Sequence, residues 1–236
     1  MQTISLVSIH AGTGKTTIAV NAAKGLQRKG YRVIVHNIGQ KRDLYEWLSP
    51  KQTNGPDELI SETDKGKPAQ ILTTPMEVDM LLDDTKKSDL TYYNETCTFL
   101  EQQGYDYLIL DTDSGEKSME LAAALGDMII ACSDLSKNDE AQQLAKLNRV
   151  IETRSRQQKG INLIVPCKVN PQDWTNNSQV LFSIADRVGY ENIADMIPRC
   201  ERIHLLACDH KHVWDLPHFK NVQKVFDNLV SRLEMS

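Results

Sequence analysis

The residues best suited to chemistry lie near the start of the chain, in Ser8-Ile9-His10-Ala11-Gly12-Thr13-Gly14-Lys15-Thr16-Thr17. Glycines at 12 and 14 let the backbone turn its N–H groups toward one anion, and the start of a helix adds its positive dipole end. Lys15 supplies a point charge suited to β- and γ-phosphates, and the Thr16 hydroxyl suits a Mg²⁺ ion. Ala11, Gly12, Thr13, Gly14, Lys15, Thr16 and Thr17 are therefore the candidate phosphate-binding residues. The first glycine of the G-x-x-x-x-G-K-T pattern is absent, and Ile9 stands in its place. The second chemical element is Asp111, which ends the apolar run Tyr107-Leu108-Ile109-Leu110. A carboxylate at such a strand end can hold the hydration shell of Mg²⁺, so Thr16 and Asp111 form the candidate metal pair. Asp113 reads equally as a further water ligand or as a cap, and Ser114 reads as the better helix cap.

Positioning these groups takes a strand before the loop and a helix after it. Ile4 to Val7 is the expected strand, and Ile18, Ala19, Ala22, Ala23 and Leu26 give the helical spacing. Tyr31 to His36 reads as a second buried strand, followed by the loop Asn37-Ile38-Gly39-Gln40. Ser49 to Pro68 reads as a long surface excursion, with a possible helical turn at Asp57-Glu58-Leu59-Ile60. Ile71-Leu72 is a weak strand signal, and Met76 to Leu82 and Tyr92 to Gln103 read as helices. Beyond Asp111, helices are expected over Gly115–Leu125, Asn138–Arg156, Asn177–Val188 and His218–Leu233. Strands are expected over Met128–Cys132 and Leu163–Pro166, with a short edge strand over Ala194–Ile197. Alternating strands and helices specify an α/β fold: three layers, with a mostly parallel twisted sheet covered by helices on both faces.

The chain has 236 residues, of which 40% are hydrophobic, and the expectation is a single domain spanning 1–236. A net charge of −5 argues against a protein that coats nucleic acid with its whole surface, while leaving room for a local basic patch. Lys146, Arg149, Arg154, Arg156 and Lys159 form such a stretch, readable as a solvated helix face or as a DNA contact. Cys97, Cys132, Cys167, Cys200 and Cys208 include no C-x-x-C pair, which suits reduced thiols and a cytoplasmic location. No signal peptide and no transmembrane segment are expected. His204, His210, Lys211, His212 and His218 fit no metal-ligand spacing. The closing amphipathic helix reads as core packing in preference to a membrane-targeting tail.

Taken together, these motifs resemble the ParA/MinD class of deviant P-loop ATPases. The likeness lies in Ala11–Thr17, in Tyr105-Asp106-Tyr107-Leu108-Ile109-Leu110-Asp111-Thr112, and in Ile197-Pro198-Arg199 with the later Val213-Trp214-Asp215-Leu216. It implies a P-loop NTPase fold, ATP or ADP with Mg²⁺ as cofactors, and Lys15 and Asp111 as catalytic residues. It places Asn170 and Pro198 around adenine. It also implies a homodimer in the ATP state, with DNA or a protein adaptor or cargo as partner. Two departures stand out. The family's signature lysine is replaced by His10, so Lys137 or Lys168 becomes the alternative source of a bridging cation. The Asp-x-Asp pair of the first switch is replaced by Asn37 and Gly39, which implies tight nucleotide binding with slow hydrolysis.

The leading expectation is thus a slow ATPase whose ATP-bound dimer positions or partitions DNA or a protein cargo. A nucleotide-gated regulatory protein with little or no hydrolysis is the alternative, and a dethiobiotin-synthetase-like ligase a weaker one. The absence of paired cysteines disfavours an iron–sulfur carrier.

Overall fold

The fold was analysed on a computed structural model that describes residues 1–39, 43–48, 70–82 and 89–234. Its elements in chain order are β1 (Gln2–Val7), α1 (Lys15–Arg28), β2 (Val33–Ile38), α2 (Asp43–Leu48), β3 (Gln70–Thr73), β4 (Asp79–Leu82), α3 (Leu90–Gln102), β5 (Tyr107–Thr112), α4 (Glu116–Leu125), β6 (Met128–Asp134), α5 (Glu140–Arg154), β7 (Leu163–Cys167), α6 (Trp174–Val188), α7 (Glu201–Asp209) and α8 (Lys220–Glu234). Single 3₁₀ turns at Tyr190–Asn192 and Val213–Asp215 complete the path. The excursion from Ser49 to Pro68, including the expected turn at Asp57-Glu58-Leu59-Ile60, lies outside the described residues.

The seven strands run in the order β3-β4-β2-β5-β1-β6-β7. All neighbours are parallel except β3 and β4, which form a hairpin. Central strands carry continuous apolar runs because both faces are covered. Ile18, Leu26, Leu44, Ile203, Leu206, Phe226 and Leu233 pack one face, from α1, α2, α7 and α8. The other face is packed by Ala122, Leu144, Ile151, Val180 and Ile184 and by Tyr93 and Leu100, from α3 to α6. This is the expected α/β architecture of a mostly parallel sheet between two helical layers.

Helix α8 buries Val222, Phe226, Leu229, Val230 and Leu233, so its apolar stripe lies on the core. It crosses α1 at Gly25, where an added Cβ would come within 2.9 Å of the Trp214 ring. Asn21, fully buried in α1, accepts the Val213 N–H at 2.8 Å and donates to Thr17 O at 2.7 Å. The chain's end is thereby tied to the helix that follows the phosphate loop. Among the described residues no helix is long and apolar enough to cross a membrane.

The fold corrects four readings. Met76–Leu82 is not a helix: Thr74 to Val78 forms a tight turn, with Glu77 left-handed at φ 63° and the Thr74 hydroxyl donating to Val78 O at 2.8 Å. The segment then enters β4, whose Met80, Leu81 and Leu82 are all buried. A strand covered on both faces has no alternation, and so imitates a short helix. Ala194–Ile197 runs beside β7 but makes only isolated bridges, Ile164↔Ile193 and Val169↔Pro198. Pro166 and Pro198, which lack N–H donors, interrupt a regular ladder. Helices α2 and α7 are additional elements. Ser114 does not cap α4, whose first turn follows Gly115 with no side-chain cap.

Candidate functional site

The site is built where β1, β2 and β5 end together. Leu6 of β1 and Asn37 of β2 both pair in register with Asp111 of β5, so the phosphate loop, the first-switch loop and the Asp111 carboxylate meet at one sheet edge. In open parallel sheets this carboxyl edge is where ligands bind. Gly12 and Gly14 adopt φ 71° and 114°, conformations open to glycine, and Gly14 hands directly into α1. The Gly14 carbonyl accepts the first intrahelical bond, from Ile18 N at 2.9 Å.

Within the loop the Lys15 ammonium is held by Ser8 Oγ at 2.6 Å, and Ser8 donates in turn to His10 O at 2.7 Å. The Thr13 hydroxyl reaches the same carbonyl at 3.2 Å. Thr16 Oγ1 donates to Asp111 Oδ2 at 2.7 Å, and Asp111 is 3% exposed. Thr112, next to it, fastens β5 to β1 through Leu6 O at 2.7 Å. The expected hydroxyl–carboxylate pair is therefore formed between the first turn of α1 and the end of β5. A hard divalent cation takes such oxygen donors, and a polyphosphate takes the loop's N–H groups and Lys15, so this donor set fits Mg²⁺ with a nucleotide.

Beside the loop opens a cavity of about 520 Å³, bordered by Thr13, Gly14, Thr17, Asn170, Pro198 and His204 among others. Asn170 and Pro198 come together because residues 167–170 and 197–199 run side by side: Val169 N bonds Ile197 O at 3.0 Å, and Arg199 N bonds Val169 O at 2.8 Å. Asn170 is fixed by its own loop, with Oδ1 accepting Gln172 N at 3.1 Å and its carbonyl accepting Asn177 Nδ2 at 2.6 Å. Lys168, left-handed at φ 54°, lines the cavity, and Lys137 is not among its lining residues. Cys167 lines it too, facing Gly14; a Cβ there would meet Cys167 Sγ at 3.6 Å. A hydrogen bond with the Cys167 thiol, followed by burial, pushes the Cys132 thiol well above its ordinary value.

Sequence reasoning missed two contacts at this edge. The first is over Gly39, at φ 133°, where a Cβ would lie 2.6 Å from Asp113 Cγ. The Asp113 carboxylate fills the space a side chain at position 39 would need, and its Oδ1 accepts Gly115 N at 2.8 Å. That bond is an Asx turn ahead of α4 and not a helix cap, since α4 starts with no side-chain cap. The second is His10, whose Nε2 lies 3.4 Å from Oε2 of Glu140, a side chain with no exposed surface. A lone acid in the first turn of a helix reads as a dipole partner, so the sequence offers no signal for this pairing.

The remaining candidates disperse. Arg154 is ion-paired to Glu120 at 3.0 Å and Arg156 bonds Asn94, while Lys146 and Arg149 stay exposed on α5. His210 Nδ1 meets Trp47 O at 3.0 Å and His212 pairs with Asp215 at 3.2 Å. Among the described residues no three His, Cys, Asp or Glu side chains are grouped to hold a metal.

Fold and loop geometry together match the layered α/β fold seen in MinD structures. The chain is similar to MinD in the MinC:MinD cell division protein complex of Aquifex aeolicus, at 18% identity and a TM-score of 0.77, covering 100% of this chain and 96% of that one. It is similar to the septum site-determining protein MinD complexed with Mg-ADP from Pyrococcus horikoshii, at 19% identity and a TM-score of 0.73, covering 98% and 95%. In sequence it is 32% identical, over 134 residues, to an uncharacterised ATP-binding protein of Methanocaldococcus jannaschii. That match spans 53% of this chain and 49% of the relative, about half of each. No family model matches the chain.

Proposed function

We propose that the protein is a ParA/MinD-like ATP-binding protein that works as a single cytoplasmic domain and uses nucleotide state to govern its associations. ATP or ADP binds along Ala11–Thr17, with Lys15 on the β- and γ-phosphates and the base between Asn170 and Pro198. Thr16 and Asp111 hold Mg²⁺, which neutralises charge on the phosphates when bound. The observation that carries this reading is the Thr16–Asp111 hydrogen bond of 2.7 Å beside the glycine-shaped loop. The ATP-bound form pairs with a second copy and engages DNA or a protein cargo, and slow hydrolysis releases it. A MinD relative in complex with MinC supports the idea of a protein partner. Lys146 and Arg149 are the cations of α5 best exposed for a DNA contact.

With His10 engaged by Glu140, Lys168 at the cavity mouth is the better-placed substitute for a bridging cation. A second reading, a nucleotide-gated regulator with negligible hydrolysis, is favoured by Asp113 filling the space over Gly39. Single-turnover ATP hydrolysis separates the two.

The primary test is calorimetry with Mg-ATP on the parent, Lys15→Ala and Thr16→Ala. The parent binds, Lys15→Ala loses most of the affinity, and Thr16→Ala loses its dependence on Mg²⁺. Absence of heat in the parent, or a Lys15→Ala variant equal to it, would refute the reading. Size-exclusion with a non-hydrolysable analogue, with and without DNA, then tests pairing, and Lys168→Ala tests the bridging cation.

A further inference from the structure

Glu140 begins α5, yet its side chain faces inward. Its Oε1 accepts the Asp134 N–H at 3.1 Å, which holds the loop between β6 and α5. Its Oε2 lies 3.4 Å from His10 Nε2, in the phosphate loop, and both atoms are buried. Asp134 and Ser136, on the loop that Glu140 holds, border the same cavity as Thr13 and Gly14. The two residues therefore join two loops that border one pocket. His10 keeps 34% of its side chain exposed, although the Nε2 that faces Glu140 is buried.

We propose that His10 and Glu140 form a proton-dependent latch between the phosphate loop and the β6–α5 loop, and that protonation of His10 closes it and favours nucleotide binding. This rests on the nucleotide reading above. With a neutral imidazole, a buried carboxylate stands beside a site meant for phosphates and repels them. With a protonated imidazole the pair is neutral overall, and the contact becomes a charge-assisted hydrogen bond. Imidazole is the side chain whose ordinary charge change falls nearest neutral pH.

The other charged groups around the pair are already engaged. Asp134 Oδ1 accepts from Ser136, and Asp139 Oδ2 accepts from Gln143. Lys15 reaches the loop through Ser8, whose hydroxyl bonds His10 O. Burial pushes the Glu140 carboxyl upward, while the Asp134 N–H, the Ser133 hydroxyl and the charge on His10 oppose that rise.

Two measurements test the latch. In the nucleotide-free protein, the His10 imidazole is titrated by NMR in the parent and in Glu140→Gln. The latch requires His10 to titrate at lower pH in the variant, and an unchanged titration would overturn it whatever ATP does. Mg-ATP affinity is then measured from pH 6 to 8.5 in the parent, Glu140→Gln and His10→Asn. Parent affinity should weaken about tenfold more than that of His10→Asn as pH rises, the factor for a unit charge roughly 10 Å from another at an effective dielectric of about 20. Glu140→Gln should bind more tightly than the parent at pH 8.5. Equal pH slopes in parent and His10→Asn would overturn the coupling. A parent that binds no ATP, with the imidazole shift intact, would refute the nucleotide reading while supporting the contact.

Discussion

Gly39 is the position where a single substitution best exposes how the loop after β2 fits against the loop after β5. Its φ of 133° is strained for any L side chain, and a Cβ would lie 2.6 Å from Asp113 Cγ and 2.9 Å from Asp113 Cβ. Gly39→Asp therefore incurs backbone strain of about 1–3 kcal/mol. It also forces Asp113 aside, losing the bond to Gly115 N, about 0.5–1.5 kcal/mol. The sum, roughly 2–4 kcal/mol, corresponds to a fall in Tm of about 5–15 °C at ~2–4 °C per kcal/mol for a domain of this size. The informative measurement is a double-mutant cycle with Asp113→Gly, read by denaturant unfolding. Removing the Asp113 side chain first eliminates the clash and the bond, so only backbone strain remains. The double variant should then be about 1 kcal/mol more stable than the sum of the single changes implies. Strict additivity would refute the claim that Asp113 occupies the space over Gly39. The same variants, assayed for single-turnover ATP hydrolysis, show whether an acid at position 39 raises the rate only when Asp113 is absent.

Two further outcomes follow from packing and burial. Gly25→Ala improves helix propensity by about 1 kcal/mol. It nevertheless should lower stability by about 1–3 kcal/mol, because the added methyl meets the Trp214 ring at 2.9 Å where α1 crosses α8; a thermal melt above the parent's would refute this. The Glu140 carboxyl is raised by burial, so the folded state binds that proton more readily than the unfolded chain. Its favourable contribution is present below the ordinary carboxyl value and is lost as pH rises through the folded one. Glu140→Gln should therefore be more stable than the parent at pH 8, by about 1 kcal/mol for relieving an under-bonded carboxylate, with the gain shrinking toward pH 4. A gain that grows as pH falls would contradict the burial argument.

The sequence made the central layer legible because its strands are covered on both faces and end on recognisable groups. Tyr107 to Asp111 reads as a strand from its apolar run, and Asp111 reads as a ligand because a carboxylate ends it. Asn170 and Pro198 were found through the family likeness; they meet because residues 167–170 and 197–199 pair side by side, which no local pattern reveals. Strand β4 was misread because Met80, Leu81 and Leu82 are all buried and erase the alternation that marks a strand. Helix α7 was missed because it buries only Ile203 and Leu206, too narrow a stripe for its period to stand out. The Asp113–Gly39 fit and the His10–Glu140 contact depend wholly on tertiary approach, and composition and spacing carry no trace of either.

These two contacts alter how the departures from the family pattern are understood. Set against the ParA/MinD pattern that the sequence resembles, His10 stands where a lysine is expected and Gly39 where a carboxylate is expected. In the folded chain neither position is simply vacated. The imidazole at 10 answers a buried acid on α5, and the missing side chain at 39 makes room for the acid at 113. Gly39 could not accept a side chain while Asp113 stays where it is, and Glu140 would be an uncompensated buried acid without His10. Each departure is thus coupled to a second residue elsewhere in the chain, so restoring one family residue alone should damage the edge that holds the phosphate loop. The pairs, rather than the single positions, are the units on which this site's chemistry rests.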